Sequence, residues 1–70
     1  MTTFELKPNQ EYIEMNKLLK FLGIVGTGGE ANMRIMDGEA WVNGVEDTRK
    51  RRKLRKGDKV EFDGQVIEIQ

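Results

Sequence analysis

The first part of the chain shows two different spacings of apolar side chains. Phe4 and Leu6 alternate with polar residues in the stretch TTFEL, which is typical of a short β-strand, and KPN interrupts it. From Tyr12 onward the apolar positions recur every three or four residues, which predicts an amphipathic helix. We expect Asn9 to cap the start of this helix and Gly23 to end it.

A second helix is predicted from Gly28 to Asp37. Thr27 and Glu30 match the capping box, in which each side chain satisfies a free amide at a helix start. Gly38 would close the helix in the left-handed conformation. Few residues separate the two helices, so we expect them to pack as a hairpin. The inward residues of the second helix would be Ala31 and Ile35, with Met33 or Met36.

After Gly38 the apolar positions change to a period of two. Asn43-Gly44 and Asp63-Gly64 are hairpin signals, because both positions of such a turn need positive φ. The sequence therefore predicts an α+β fold in which a two-helix hairpin packs on a small, mainly antiparallel twisted sheet. In the second hairpin we expect Val60 and Phe62 to face Val66 and either Ile67 or Ile69.

Positive charge is concentrated in one stretch of the chain. The protein has 12 Lys+Arg and 12 Asp+Glu, so its net charge is zero, but residues 49–59 hold eight bases and one acid, or +7. Residues 1–48 hold four bases and eight acids (−4), and residues 60–70 hold three acids and no base (−3). We call residues 49–56 the basic segment. Its only apolar side chain is Leu54, so we expect the segment to lie on the surface with Leu54 at the edge of the core.

A polyanionic partner explains this concentration of charge. Neighbouring phosphates of a nucleic acid would relieve the repulsion among seven cations in eight residues. Three other interpretations stay open: a solvated loop covered by the protein's own acids, a nuclear-localisation signal and an anionic membrane surface. A localisation signal does not need to lie between two strands, and no apolar face or lipidation signal accompanies the bases.

The composition also argues against several classes of function. With no cysteine and no histidine, the chain lacks a disulfide framework and the usual zinc ligands. No apolar run approaches the roughly 20 residues that cross a bilayer, and a signal peptide is missing, so we expect a cytoplasmic protein. We find no nucleophile beside a base and no facing pair of carboxylates. We therefore expect a single domain of residues 1–70 that is monomeric and non-catalytic, without cofactor, metal or small-molecule substrate.

The order of these elements carries a resemblance. Helix, turn, helix, GEAWVNG and RKLRKGDKVEF together resemble the RNA-binding domain named after ribosomal small-subunit protein four, from about residue 12 to residue 62. NKLLKFLGIV looks like the first helix of that family, GGEA the start of its second, VNG its hairpin turn and GDKVEF its closing turn and strand. The short stand-alone bacterial members are the most similar. The resemblance implies an αL motif, which grips structured RNA through its phosphates.

Two positions depart from the family pattern. Where many members begin the first helix with arginine, leucine and aspartate, this chain has Glu14, Met15 and Asn16, and a base in the second helix is replaced by Asn32. Both changes weaken the helical part of the expected RNA surface, so we expect the basic segment to make most of the RNA contacts. The expected RNA-binding residues are Lys17, Lys20, Arg34, Trp41, Arg49, Lys50, Arg51, Arg52, Lys53, Arg55 and Lys56.

Trp41 and the glycines of GTGG each allow two interpretations. Strand alternation places Trp41 opposite Ala40 and Val42, where an exposed indole could stack an unpaired base for about 1–3 kcal/mol. Alternatively, it covers the helix hairpin or the back of the sheet. GTGG could cradle a phosphate at a helix N-terminus, but it lacks the lysine of a nucleotide-binding loop and suits an interhelical turn.

The sequence as a whole indicates a small RNA-binding protein. It would dock on structured RNA, such as ribosomal or transfer RNA, by phosphate contacts and shape. The alternative is a protein-interaction module that binds an acidic partner. A sulfur-carrier role is disfavoured because the chain ends VIEIQ rather than Gly-Gly. Duplex DNA is disfavoured as a target because no helix rich in lysine and arginine is available to enter a major groove.

Overall fold

The structure, a computed structural model, describes all 70 residues and contains two helices and seven strands. The helices lie consecutively near the N-terminus, and five of the strands follow them. The elements are β1 (Thr2–Phe4), β2 (Ile13–Glu14), α1 (Met15–Phe21), α2 (Gly28–Met36), β3 (Ala40–Val42), β4 (Val45–Glu46), β5 (Lys53–Leu54), β6 (Lys59–Phe62) and β7 (Gln65–Ile69).

The strands form a five-stranded sheet and a separate two-stranded ladder. The order in the larger sheet is β1-β7-β6-β3-β4, and only the pairing of β1 with β7 is parallel. The smaller ladder pairs β2 with β5, antiparallel. The predicted class, two helices with a small and mainly antiparallel sheet, is confirmed.

Both predicted two-residue hairpins are present. Asn43 and Asp63 have φ values of 52° and 54°, and the glycine that follows each also has positive φ, as this turn type requires. The second turn sets Phe62 opposite Gln65 and Val60 opposite Ile67. The expected inward position of Val66 is therefore wrong: a shift of one residue moves a side chain to the other face, and the two-residue turn allows no such shift.

The first helix is shorter than predicted. It begins at Met15, and its N-cap is Glu14 in extended conformation, not Asn9. Ile13 and Glu14 pair with β5 instead of continuing the helix upstream, so a tertiary strand pairing overrides the helical spacing there. The predicted end is confirmed, because Gly23 follows the helix with φ of +73°.

The second helix begins where the sequence predicts. The Thr27 hydroxyl accepts a hydrogen bond from the Glu30 amide at 3.1 Å, but the Glu30 carboxylate accepts from Gly26 rather than from Thr27. Gly38 closes the helix with φ of +87°, as expected. Ala31 and Ile35 are buried, whereas Met33 and Met36 are 60% and 58% exposed, so the expectation of an inward methionine is wrong. A nine-residue helix presents one narrow stripe to the core, and Ala31 and Ile35 fill it.

The core consists of 14 buried apolar side chains contributed by both helices, the loop between them and five of the strands. Each large one that leaves water contributes about 1.5–3 kcal/mol before entropy is counted. Leu54 is among them with no exposed surface, which confirms that it anchors the basic segment to the core. The core residues are Ile13, Met15, Leu18, Leu19, Val25, Ala31, Ile35, Ala40, Val42, Leu54, Val60, Phe62, Ile67 and Ile69.

Candidate nucleic-acid interface

The backbone of the basic segment is bonded to the start of α1. The amide of Met15 donates to the carbonyl of Arg52 at 2.9 Å, and the amide of Asn16 donates to the carbonyl of Lys50 at 3.0 Å. The first amides of a helix have no acceptor within the helix. The carbonyls of the basic segment supply acceptors for two of these amides in α1. Together with buried Leu54, these bonds fix the path of the cations against the helix hairpin.

Asp47 holds two arginines at the entrance of the segment. Its carboxylate accepts hydrogen bonds from the Arg49 guanidinium at 3.0 and 2.7 Å and from the Arg49 amide at 3.0 Å. It also lies 3.4 Å from Nε of Arg52. The side-chain hydrogen bond from Arg49 lowers the pKa of Asp47 and raises the pKa of Arg49. Only 9% of Asp47 is exposed, so this carboxylate stays beside the arginines.

Asp58 fixes the backbone, rather than a guanidinium group, at the exit of the segment. Its carboxylate accepts hydrogen bonds from the Arg55 amide at 2.8 Å and from the Asn43 side chain at 3.0 Å. Partial burial opposes ionisation of Asp58, but these two hydrogen bonds together with the charges of Arg52 and Arg55 outweigh it, so the pKa of Asp58 is lowered. Asn43 also accepts from the Lys59 amide at 2.9 Å. The β3-β4 turn and the exit of the basic segment are thus joined.

Tyr12 orders two further cations. Nζ of Lys53 lies 5.0 Å from the centre of its ring and Cζ of Arg55 lies 5.5 Å from it, within the range of a cation–π interaction. Sequence reasoning missed Tyr12, since its closeness to the basic segment follows from the β2-β5 pairing. The signal in the sequence was the position of an aromatic residue just before the first helix.

Five of the seven cations in the basic segment form no ion pair, because the protein's own acids engage only Arg49 and Arg52. All five are exposed. Arg49, Arg51, Arg52 and Lys53 also line a shallow depression without any apolar side chain. The free cations are Lys50, Arg51, Lys53, Arg55 and Lys56.

The predicted helical cations differ in their surroundings. Lys20 is exposed without an ion pair, and Lys17 is exposed but lies 3.2 Å from the Glu14 carboxylate. Arg34 is engaged by three acids, at 3.7, 3.0 and 3.3 Å, and its guanidinium lies 4.6 Å from the centre of the Phe62 ring. The hydrogen bond to Glu39 raises the pKa of Arg34. Arg34 therefore joins α2 to the sheet.

The two departures from the family pattern meet in space. The Asn16 side-chain amide donates to the side-chain oxygen of Asn32 at 2.9 Å. A neutral hydrogen bond thus connects α1 to α2 where the family pattern has an acid and a base. This bond is next to the contact between α1 and the basic segment, because Asn16 also makes the backbone bond to Lys50.

Trp41 lies on the outer face of the sheet, as alternation predicts, and is 45% exposed while Ala40 and Val42 are buried. Its cross-strand neighbours are Glu46 on β4 and Glu61 on β6. The structure thus surrounds Trp41 with carboxylates and does not bring it together with the basic segment.

Neither helix has the length and apolar character needed to cross a membrane. No group of three or more histidine, cysteine, aspartate or glutamate side chains is placed to hold a metal ion.

Comparison with known proteins agrees with this geometry. The chain is 35% identical over 69 residues to "Putative RNA-binding protein YbcJ" of Escherichia coli (strain K12). The alignment covers 99% of this chain and 97% of that protein. The same figures describe "Uncharacterized protein YbcJ" of Shigella flexneri. The solution structure of YbcJ from E. coli, described as revealing an αL motif involved in RNA binding, superposes with a TM-score of 0.73. That superposition covers 99% of this chain and 86% of the other, at 35% identity.

The similarity to YbcJ in sequence and in fold extends over almost the whole length of the chain and includes the basic segment between β4 and β6. A family model described as the S4 domain matches residues 6–70. The chain belongs to the S4 domain family.

Proposed function

We propose that this protein binds structured RNA, with the basic segment as the principal contact. The observation that carries the proposal is the set of five exposed cations without an acidic partner, on a backbone bonded to α1. Membership of the S4 domain family supports it, as do the printed descriptions of E. coli YbcJ.

Phosphate contacts account for the binding. RNA phosphates would occupy the positions that carboxylates leave open around Lys50, Arg51 and Lys56, and each contact releases a counterion. Because the segment is already fixed by Leu54 and the α1 amides, binding orders little backbone and its entropy cost is small. Such contacts read the shape of a folded RNA rather than its base sequence.

The helical cations extend this surface. Lys20 is free, and Lys17 exchanges one weak, exposed ion pair for a phosphate at little cost. Arg34 is already neutralised by three acids, and Trp41 lies among carboxylates, so we place both outside the RNA contact.

The finer features of the proposal follow from the same picture. We propose a single, monomeric domain in the cytoplasm that is not an enzyme and uses no cofactor, with ribosomal or transfer RNA as the target class. Binding by charge and shape needs neither a nucleophile nor a pocket for a small molecule.

A salt titration against a structured RNA tests the proposal. If about five cations contact phosphates, the logarithm of the binding constant falls with the logarithm of salt concentration at a slope of roughly −4. The double variant Lys50→Gln/Arg51→Gln should make the slope shallower by about 1.5 units. Circular dichroism should show both proteins equally folded, because neither side chain is buried.

The matched control is Lys7→Gln/Lys59→Gln, which removes the same charge outside the basic segment. Equal effects of the two variants would mean that net charge alone governs binding. If RNA does not bind, or binds without salt dependence, the proposal is wrong. An acidic protein that RNA fails to displace from the segment would favour the alternative of a protein-interaction module.

A further inference from the structure

The outer face of the five-stranded sheet is not covered by any other element and differs in charge from the basic segment. Its side chains point away from the core, which lies on the side of the helices. Trp41 is the large aromatic residue on this face, and Glu46 and Glu61 pair with it from the two neighbouring strands. Neither glutamate forms an ion pair or a side-chain hydrogen bond in the protein.

A shallow groove runs from Trp41 across β6 to β7. Trp41 and Val66 give it an apolar floor, and Glu61 lies between their positions in the cross-strand row. Glu39 and Asp63 also line it, but Arg34 already pairs with both, so Glu61 supplies the unpaired carboxylate of the groove. Beyond Trp41, the carboxylate of Glu46 lies against Gly38.

This combination favours a cationic side chain on an apolar stem. The stem of an arginine or lysine covers apolar surface, and its charged head is attracted both by the indole face and by carboxylates. RNA is the wrong partner for the same reason: its phosphates would meet Glu46 and Glu61 without a neighbouring cation. The base that does lie on this face, Lys59, is already near Glu68, at 3.9 Å.

We propose that the sheet face around Trp41 is a docking surface for a basic segment of a protein partner. The charge complementarity centres on the indole: the free carboxylates of Glu46 and Glu61 flank Trp41, while most of the protein's lysines and arginines lie in the basic segment. One molecule therefore presents an RNA surface and a separate surface for an arginine- or lysine-rich peptide. The inference does not depend on RNA binding.

The chain contains its own reporter for this surface, because Trp41 is its only tryptophan. The experiment titrates the protein, without RNA, with a peptide of alternating arginine and glycine and follows tryptophan emission. Saturable binding with a change in emission is expected, and a peptide of alternating glutamate and glycine should give none. The variant Glu46→Gln/Glu61→Gln should weaken binding about tenfold, as the loss of two exposed ion pairs does.

The matched control is Glu5→Gln/Glu11→Gln, which removes two exposed carboxylates elsewhere and should bind the peptide as the parent does. Equal weakening in both variants would reduce the effect to net charge and overturn the proposal. So would a change in Trp41 emission caused by single-stranded RNA and not by the peptide. A concentration-dependent mass in sedimentation that Glu46→Gln/Glu61→Gln abolishes would show a second copy on this face instead.

The variant Glu46→Gln/Glu61→Gln separates this inference from the RNA function. It changes no residue of the basic segment, so its affinity for a structured RNA should match that of the parent at each salt concentration. Loss of peptide binding with RNA binding intact is the expected pair of results. Failure of the parent to bind the peptide overturns the docking surface and leaves the RNA proposal standing.

Discussion

Asp47 and Arg49 form a two-point ion pair, with Oδ1 accepting from Nε at 3.0 Å and Oδ2 accepting from Nη2 at 2.7 Å. The same carboxylate lies 3.4 Å from Nε of Arg52. An acid at the entrance of the basic segment thus neutralises part of the segment's positive charge. Asp47 also fixes the conformation of the chain where β4 ends, because its buried carboxylate accepts several hydrogen bonds there.

Replacing Asp47 should change the salt dependence of RNA binding. Asp47→Asn frees the guanidinium groups of Arg49 and Arg52 for phosphate. We expect tighter binding at low salt and a log–log slope steeper by about one to two units, since each added phosphate contact contributes roughly 0.7–0.9. Titrations of the same RNA at several salt concentrations measure both quantities.

Asp37→Asn is the control for that experiment. It raises the net charge by the same amount at an exposed carboxylate that has no ion pair. Its slope should equal that of the parent. Equal slopes for Asp47→Asn and Asp37→Asn would contradict the release of the two arginines.

Acid should destabilise the protein through Asp47 and Asp58. Hydrogen bonds lower the pKa of both carboxyl groups in the folded state, so the unfolded chain binds protons more readily. The stabilisation is complete above the unfolded pKa, about 4, and is lost as pH falls through the lower folded values. Urea unfolding from neutral pH to about pH 2.5 should show the free energy of unfolding decreasing below about pH 4.

The variant Asp47→Asn/Asp58→Asn tests whether these two groups cause the acid effect. It should be less stable than the parent at neutral pH by about 2–4 kcal/mol, because hydrogen bonds to charged groups are lost at both sites. Its stability should then fall less steeply in acid. An unchanged acid slope would assign the effect to other carboxylates.

Tyr12 offers a test of how far ordered cations matter. Tyr12→Ala removes the ring beside Lys53 and Arg55, and we expect about 1–2 kcal/mol of lost stability together with RNA binding weakened about two- to fivefold. Tyr12→Phe keeps the ring and should change both by less than about 0.5 kcal/mol. Thermal unfolding and RNA titration at one salt concentration measure the pair. Equal losses in Tyr12→Ala and Tyr12→Phe would assign the role to the hydroxyl group.

Local signals made much of the fold predictable. The turns at Asn43-Gly44 and Asp63-Gly64, the Thr27 cap and the end of α1 at Gly23 depend on neighbouring residues and backbone conformation. The start of α1 was not predictable in this way. Ile13 is extended because it pairs with Leu54. Leu54 lies about 40 residues away in the chain, so no local pattern indicates that pairing.

The site was predictable in composition but not in detail. Charge density identified the basic segment, yet the sequence does not distinguish Arg49, which Asp47 engages, from Arg51, which is free. The same holds for Arg34, whose three acidic neighbours come from α2, from the residue before β3 and from the β6-β7 turn. Partners of long side chains depend on tertiary structure, and a count of charges does not contain them.

Leu54 provides the last test, because it joins the core to the interface. Leu54→Ala should lower the free energy of unfolding by about 2–5 kcal/mol, the usual effect of truncating a fully buried leucine. In a domain of 70 residues that is a large share of the total stability. Arg51→Ala, an exposed change in the same segment, should stay within about 0.5 kcal/mol in urea unfolding.

A milder variant, Leu54→Val, separates local from global effects. If Leu54 holds the segment against α1, the amides of Met15 and Asn16 should exchange with solvent faster in this variant, because their acceptors are the carbonyls of Arg52 and Lys50. Amides in the middle of β6 and β7 should keep their protection apart from the change in global stability. Uniform acceleration at all amides would show that Leu54 supports the core alone, and the interface would then owe its shape to Asp47, Asp58 and Tyr12.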